Sequence, residues 1–259
     1  MKRNVFNLSL GVLCVFLFSS CLDDGDDIFV SYGVIQNASS SNNYEILTDK
    51  GNTLVVTKSY TGQTIENDKR VLVNFEILSD KDQNKNIYEI QVNGFYSLLS
   101  KPLVNESFIL KDEKARRDSI GNDPFNTISA KFGGDYLNIN FEFLAEQGSN
   151  KKHMINLVYD DMRADADTIY LRLYHNAYDE VKGKGMHLYK GMGRCSFKIS
   201  DLLPEGVTSK PVRLTWTEYY GYNETIERSG TDVFKTGNAS DKGKIFQRIS
   251  GLDNYVEIK

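Results

Sequence analysis

The chain has 259 residues, 25% of them charged, a formal charge of −4 and only three cysteines. An acidic balance argues against nucleic acid as a partner, because neutralising phosphates takes a basic surface. So few cysteines over this length leave stability to ordinary burial of an apolar core.

From the N-terminus, Lys2 and Arg3 form a positive head and Val5 to Phe18 an apolar run. Ser19, Ser20 and Cys21 follow, which completes the three-part pattern of a secretory leader. The run is shorter than the roughly 20 apolar residues that span a bilayer. Ser-Ser-Cys resembles the cleavage site of lipoproteins, where the cysteine thiol is acylated and becomes the new N-terminus. Residues 1–20 are therefore expected to be removed as a signal peptide and Cys21 to carry the lipid. A mature chain of 239 residues would lose Lys2 and Arg3, moving the formal charge from −4 to −6. Two acyl chains, at about 0.8 kcal/mol per buried methylene, suffice for stable anchoring.

Residues 21–30 then read as a solvated tether. Asp23, Asp24, Asp26 and Asp27 cannot enter the apolar layer and are repelled by anionic headgroups. This run also resembles the acidic export signal of surface lipoproteins in Gram-negative gut anaerobes. It points to the outer membrane and the cell surface, with the periplasmic face as the alternative. Cys14 leaves with the leader and Cys21 is acylated, so Cys195 has no partner for an intrachain disulfide. Cys195 alternates with Phe197 and Ile199, which predicts a buried, inert thiol.

Beyond the tether the dominant period is two. Val71, Val73, Phe75 and Ile77 share one face, followed by Tyr88, Ile90 and Val92. Leu137, Ile139, Phe141 and Phe143 repeat the pattern with Asn138, Asn140 and Glu142 outward. Ile155, Leu157 and Tyr159, then Ile169, Leu171 and Leu173, then Val212, Leu214 and Trp216 continue it. Short alternating runs split by Gly, Asn and Asp predict an all-β fold. Helical periodicity is confined to the charged stretch around Leu110 to Arg117 and the turn Ser200 to Pro204, neither with a long apolar stripe.

Four or five strands over residues 31–105 fit a small barrel, and about seven over 124–228 fit a sandwich. The charged run Lys111–Asp118 and the turn cluster Ile120–Pro124 place a linker at 106–123. Residues 229–259 form a polar C-terminal extension in which Val233-Phe234, Ile245-Phe246 and Tyr255-Val256 could add edge strands.

Several separate motifs occur in order: the acidic tether, Arg70-Val71-Leu72-Val73-Asn74-Phe75, Asp118 to Pro124, Gly133 to Ile139, His153 to Val158, Leu171 to Asn176, and Gly191 to Phe197 leading into Leu202-Leu203-Pro204. Together they resemble the NigD-like lipoprotein family across residues 21–228. The resemblance implies an N-terminal OB-type barrel and a C-terminal immunoglobulin-like β-sandwich. It also implies an immunity role, since the family takes its name from a gene in a bacteriocin operon.

Catalytic and metal signatures are sparse. His153, His175 and His187 lie far apart without the i, i+4 pair of a metalloprotease, and no metal centre or cofactor is expected. There is no Gly-x-Ser-x-Gly elbow. Lys182–Gly185 and Gly191-Met192-Gly193 lack the spacing of a phosphate loop and read as a mobile hairpin tip. Asp160, Asp161, Asp165 and Asp167 supply enough oxygen for Ca²⁺ if they curl around it, but the EF-hand spacing is missing. Ser119 and Thr168 each match a short acceptor signal for O-glycosylation. Trp216, Tyr219, Tyr220 and Tyr222 form a candidate aromatic binding platform for a sugar ring or a protein partner.

The resulting expectation is a non-enzymatic envelope lipoprotein, held to the membrane through Cys21, that binds a protein or a glycan and no nucleic acid. Bacteriocin immunity is the first reading, glycan capture the alternative, and a hydrolase the third.

Overall fold

The computed structural model describes residues 28–82, 85–163, 167–180, 188–220, 224–236 and 247–248. The first module is built from β1 (Ile28–Ser40), β2 (Asn43–Thr48), β3 (Thr53–Ser59), β4 (Arg70–Asp82) and β5 (Ile87–Ser97). The first three strands form an antiparallel meander, β3 runs parallel to β5, and β5 pairs antiparallel with β4. Pairing of β4 with β1 then closes the barrel. Closure removes the open sheet edges, and the register shifts between β4 and β5 supply the bends it needs. The expected alternation holds: Val71, Val73, Phe75, Tyr88, Ile90 and Val92 all point into the barrel, with Ile77 at its rim.

The second module begins earlier than the expected linker allows. Strand β6 (Val104–Asn105) pairs with the sandwich, and residues 106–120 form helices α1 (Glu106–Leu110) and α2 (Glu113–Ile120). Neither could stand alone, since isolated helices below about 12 residues are marginal. Ile109 and Ile120 anchor them by packing with Val158 and Tyr174 on the sheet. Two buried side chains do the work of a long stripe, which is why the periodicity there is faint. Gly121 ends α2 at φ +74°, where a Cβ would sit 2.7 Å from the His175 carbonyl oxygen.

The sandwich itself comprises β7 (Thr127–Gly133), β8 (Tyr136–Glu146), β9 (Met154–Tyr159), β10 (Ile169–Asn176), β11 (Leu188–Lys198), β12 (Ser209–Tyr219) and β13 (Thr225–Lys235). One sheet has the order β13-β12-β10-β9-β6 and the other β11-β8-β7. Their facing residues make one core that includes Ile139, Phe141, Leu157, Leu171, Phe197 and Leu214. Cys195 lies inside it beside Phe197 and Ile199, and burial pushes its thiol up to about 12.

Gly191 and Gly193 do not form a hairpin tip; they lie within β11, opposite Phe143 and Phe141. A Cβ at Gly193 would come within 2.3 Å of the Phe141 ring, and one at Gly191 within 2.6 Å of Phe143. The glycines make room for the two rings across the strand pair. Strand β13 carries the sandwich past residue 228, because Phe234 is fully buried in its core. Gln247–Arg248 form β14, which pairs with β1 of the barrel.

Among the described residues no helix is long and apolar enough to cross a membrane. Cys21, Asp23, Asp24, Asp26 and Asp27 lie outside the described residues, as do Asp165, His187 and Tyr222.

Candidate functional site

Asn138 corrects the alternation rule on β8. Expected to face solvent, it is buried, because the outer face of β8 and β11 is covered by the barrel. At this seam Arg70, the first residue of β4, is also buried. Its Nη1 lies 2.5 Å from Asp49 Oδ1 and its Nη2 donates to Asp49 Oδ2 at 2.6 Å. Across the seam Arg70 donates to Asn138 Oδ1 at 3.0 Å and, through Nε, to Ser196 Oγ at 2.9 Å. Asn138 Nδ2 returns a hydrogen bond to Asp49 at 2.8 Å. The guanidinium stacks 4.0 Å from the Tyr136 ring. A backbone bond from Ser196 N to Leu99 O adds a second tie. A buried charge needs a counter-charge and hydrogen bonds, and Arg70 finds them on both sides of the seam, in Asp49, Asn138 and Ser196, so the network ties barrel to sandwich. Beside it opens a cleft of about 340 Å³, lined by Asp49, Lys50, Asp68, Arg70, Asp135 and Tyr136.

A second polar chain runs through the sandwich interior. His153 Nδ1 and His175 Nε2 are 2.8 Å apart, and His153 Nε2 meets the Glu180 carboxylate. His175 Nδ1 faces the Pro124 carbonyl at 3.4 Å. A carbonyl only accepts, so His175 Nδ1 carries the proton and His175 Nε2 accepts from His153. His153 thus bridges the His175 ring and the Glu180 carboxylate. Burial, and then the neighbouring His153 charge, hold His175 down to about 4, so it stays neutral. At Glu180 burial works to raise the carboxyl, but hydrogen bonds from Ser149 and His153 outweigh it and leave it below its ordinary value. Phe125 stacks on His175 at 4.9 Å and Phe143 packs on His153 at 4.8 Å. The two histidines thus meet, although their spacing separates them, because the β9–β10 register places His175 opposite Ile155. Glu180 carried no sequence signal at all. The donors lie in a line, and among the described residues no group of three such side chains converges as metal ligands.

The remaining sequence candidates fall as follows. Trp216 continues the inward face of Val212 and Leu214 and packs against the sandwich core. Its Nε1 donates to Glu218 at 3.2 Å. Tyr219 is half-buried, and burial raises its phenol to about 12. Only Tyr220 stands out, 58% exposed, so the three described aromatics do not make one platform. Asp161 is occupied by the Ser107 amide and hydroxyl, which makes it the cap of α1 rather than a calcium ligand. Asp160 accepts from the Met162 amide at 3.3 Å. Ser119 is exposed in the last turn of α2, not in a loop, and Thr168 is half-buried just before β10.

A closed five-strand barrel joined to a two-sheet sandwich defines a two-module all-β protein. Residues 32–97 match the model of the NigD-like N-terminal OB domain, and residues 107–229 that of the NigD-like C-terminal beta sandwich domain. The chain belongs to the NigD-like family.

Solved structures share the fold. A protein from Parabacteroides distasonis, provisionally named as toxin related, is 25% identical with a TM-score of 0.59, covering 83% of this chain and 96% of that one. A NigD-like immunity protein from Bacteroides caccae is 21% identical with a TM-score of 0.58, covering 79% and 92%. A Bacteroides fragilis protein, provisionally named a lipoprotein, is 11% identical with a TM-score of 0.58, covering 81% and 99%. The search of curated proteins found no match.

Proposed function

We propose that this chain is a lipid-anchored envelope protein that acts without catalysis, by binding a protein toxin in the manner of an immunity factor. The observation that carries the reading is the Arg70 network, which presents two NigD-like modules and the cleft between them as one preformed surface. A preformed surface avoids the ordering cost that weakens a floppy one. The immunity and toxin-related proteins that share the fold support a toxin as the partner. The Ser-Ser-Cys site and the Asp23–Asp27 run support anchoring through Cys21 at the outer membrane and display at the surface.

A hydrolase is disfavoured by what the reactive groups do. The Cys195 thiol is buried and protonated, and the rings of His153 and His175 are taken up by each other, Glu180 and Pro124.

Deleting the gene is expected to sensitise cells to a peptide toxin of competing strains. The intact gene should restore survival, and a Cys21→Ser copy should not. Unchanged survival of the deletion strain across a toxin panel would refute the reading.

A further inference from the structure

We infer that the sandwich carries a binding site for a neutral sugar, in the open pocket between α2, the 121–123 turn and the end of β10. The inference goes beyond the toxin-binding reading and does not depend on it. The pocket has a volume of about 670 Å³, within the range of small-ligand clefts of roughly 300–1,000 Å³.

Its lining is fixed by hydrogen bonds made beneath it. Asn176 Nδ2 donates to the carbonyls of Asp118 and Ser119, and Asn176 Oδ1 accepts from the Tyr178 amide at 2.8 Å. Tyr178 is thereby held at φ +51°, in the left-handed region that a bulky residue seldom adopts. The residue as a whole is 44% exposed, at the pocket edge. Arg117 donates to the Tyr174 hydroxyl at 2.9 Å on the floor.

The chemistry that remains free identifies the ligand class. Among the described residues the Asp118 carboxylate and the Asn122 Nδ2 make no hydrogen bond, while the Arg172 guanidinium is taken up by Glu227, Thr217 and Asn122 Oδ1. Asp123 spends one oxygen on the Ala177 amide at 2.7 Å and keeps the other. The Tyr178 hydroxyl is likewise free. Acceptors and donors therefore both line the pocket, together with Tyr174 and Tyr178.

The lining carries both signs, Arg117 and Arg172 beside Asp118 and Asp123, so neither an anion nor a cation meets a pocket of one opposite charge. A sugar hydroxyl both donates and accepts, so a row of them satisfies both kinds of group, while the ring's C–H face lies on Tyr178.

The test uses the purified full-length chain in native gels that contain soluble polysaccharides, one per gel, both neutral (dextran, mannan, galactan, xylan) and acidic (polygalacturonate). Retardation is expected in at least one neutral gel. It should weaken at least tenfold in Tyr178→Ala and in Asp118→Ala, two surface changes whose circular dichroism should match the parent. Three results would each overturn the site: unaltered mobility in every neutral gel, retardation in the acidic gel alone, or full retardation in both variants.

Discussion

His175 sets the acid response of the molecule. Its ring is buried against Phe125 and held down to about 4, against an ordinary value of 6.5. The unfolded chain takes up this proton first, so stability is complete above pH 6.5 and declines as pH falls toward 4. A shift of this size is worth about 3 kcal/mol at the acid end, at about 1.4 kcal/mol per pH unit. Glu180, kept below its ordinary value, adds a further loss lower still. The urea midpoint should therefore drop between pH 7.5 and pH 4.5. In His175→Gln, which keeps an acceptor for His153 but cannot titrate, most of that drop should vanish. An unchanged pH slope in the variant would contradict the assignment. At this scale little was legible beforehand: residues 153, 175 and 180 become neighbours only through strand register, which no local spacing encodes. Cys195 was legible, because its face was already shared with Phe197 and Ile199.

Among the elements, period two was the readable signal, and it located β4 and β5 of the barrel and β8, β9, β10 and β12 of the sandwich. What it missed were features whose cause lies in another strand. Gly191 and Gly193 looked like turn residues, yet they exist for the rings of Phe143 and Phe141 opposite. Gly193→Ala should overpack that contact and cost about 1–3 kcal/mol in equilibrium unfolding. Gly230→Ala on β13, where nothing lies within 4 Å of the added carbon, is the control and should fall within about 0.5 kcal/mol of the parent. Equal effects of the two would remove the packing argument. Helices α1 and α2 escaped for a different reason. Two buried isoleucines and the Asp161 cap hold them, and a stripe that short does not show in a periodicity.

For the whole molecule, the seam decides whether two modules behave as one body. Arg70 and Asp49 come from the barrel, Asn138 and Ser196 from the sandwich; three of them stand in the motifs quoted above, but nothing in the sequence showed that they meet. A polar residue at an outward strand position reads the same whether water or another module covers it. Asp49→Ala would leave Arg70 buried beside the Tyr136 ring without its counter-charge, a loss of about 3–5 kcal/mol. Scanning calorimetry should show the single transition of the parent splitting into two as barrel and sandwich uncouple. One transition at an unchanged midpoint would mean that the modules are held by something else.

Strand β1 begins at Ile28, seven residues after Cys21. Even fully stretched, that much chain reaches only about 25 Å, at roughly 3.6 Å per residue. With fatty chains on Cys21, the barrel would hover within its own diameter of the headgroups and could search only a shallow layer. A partner would have to descend close to the bilayer to meet the barrel.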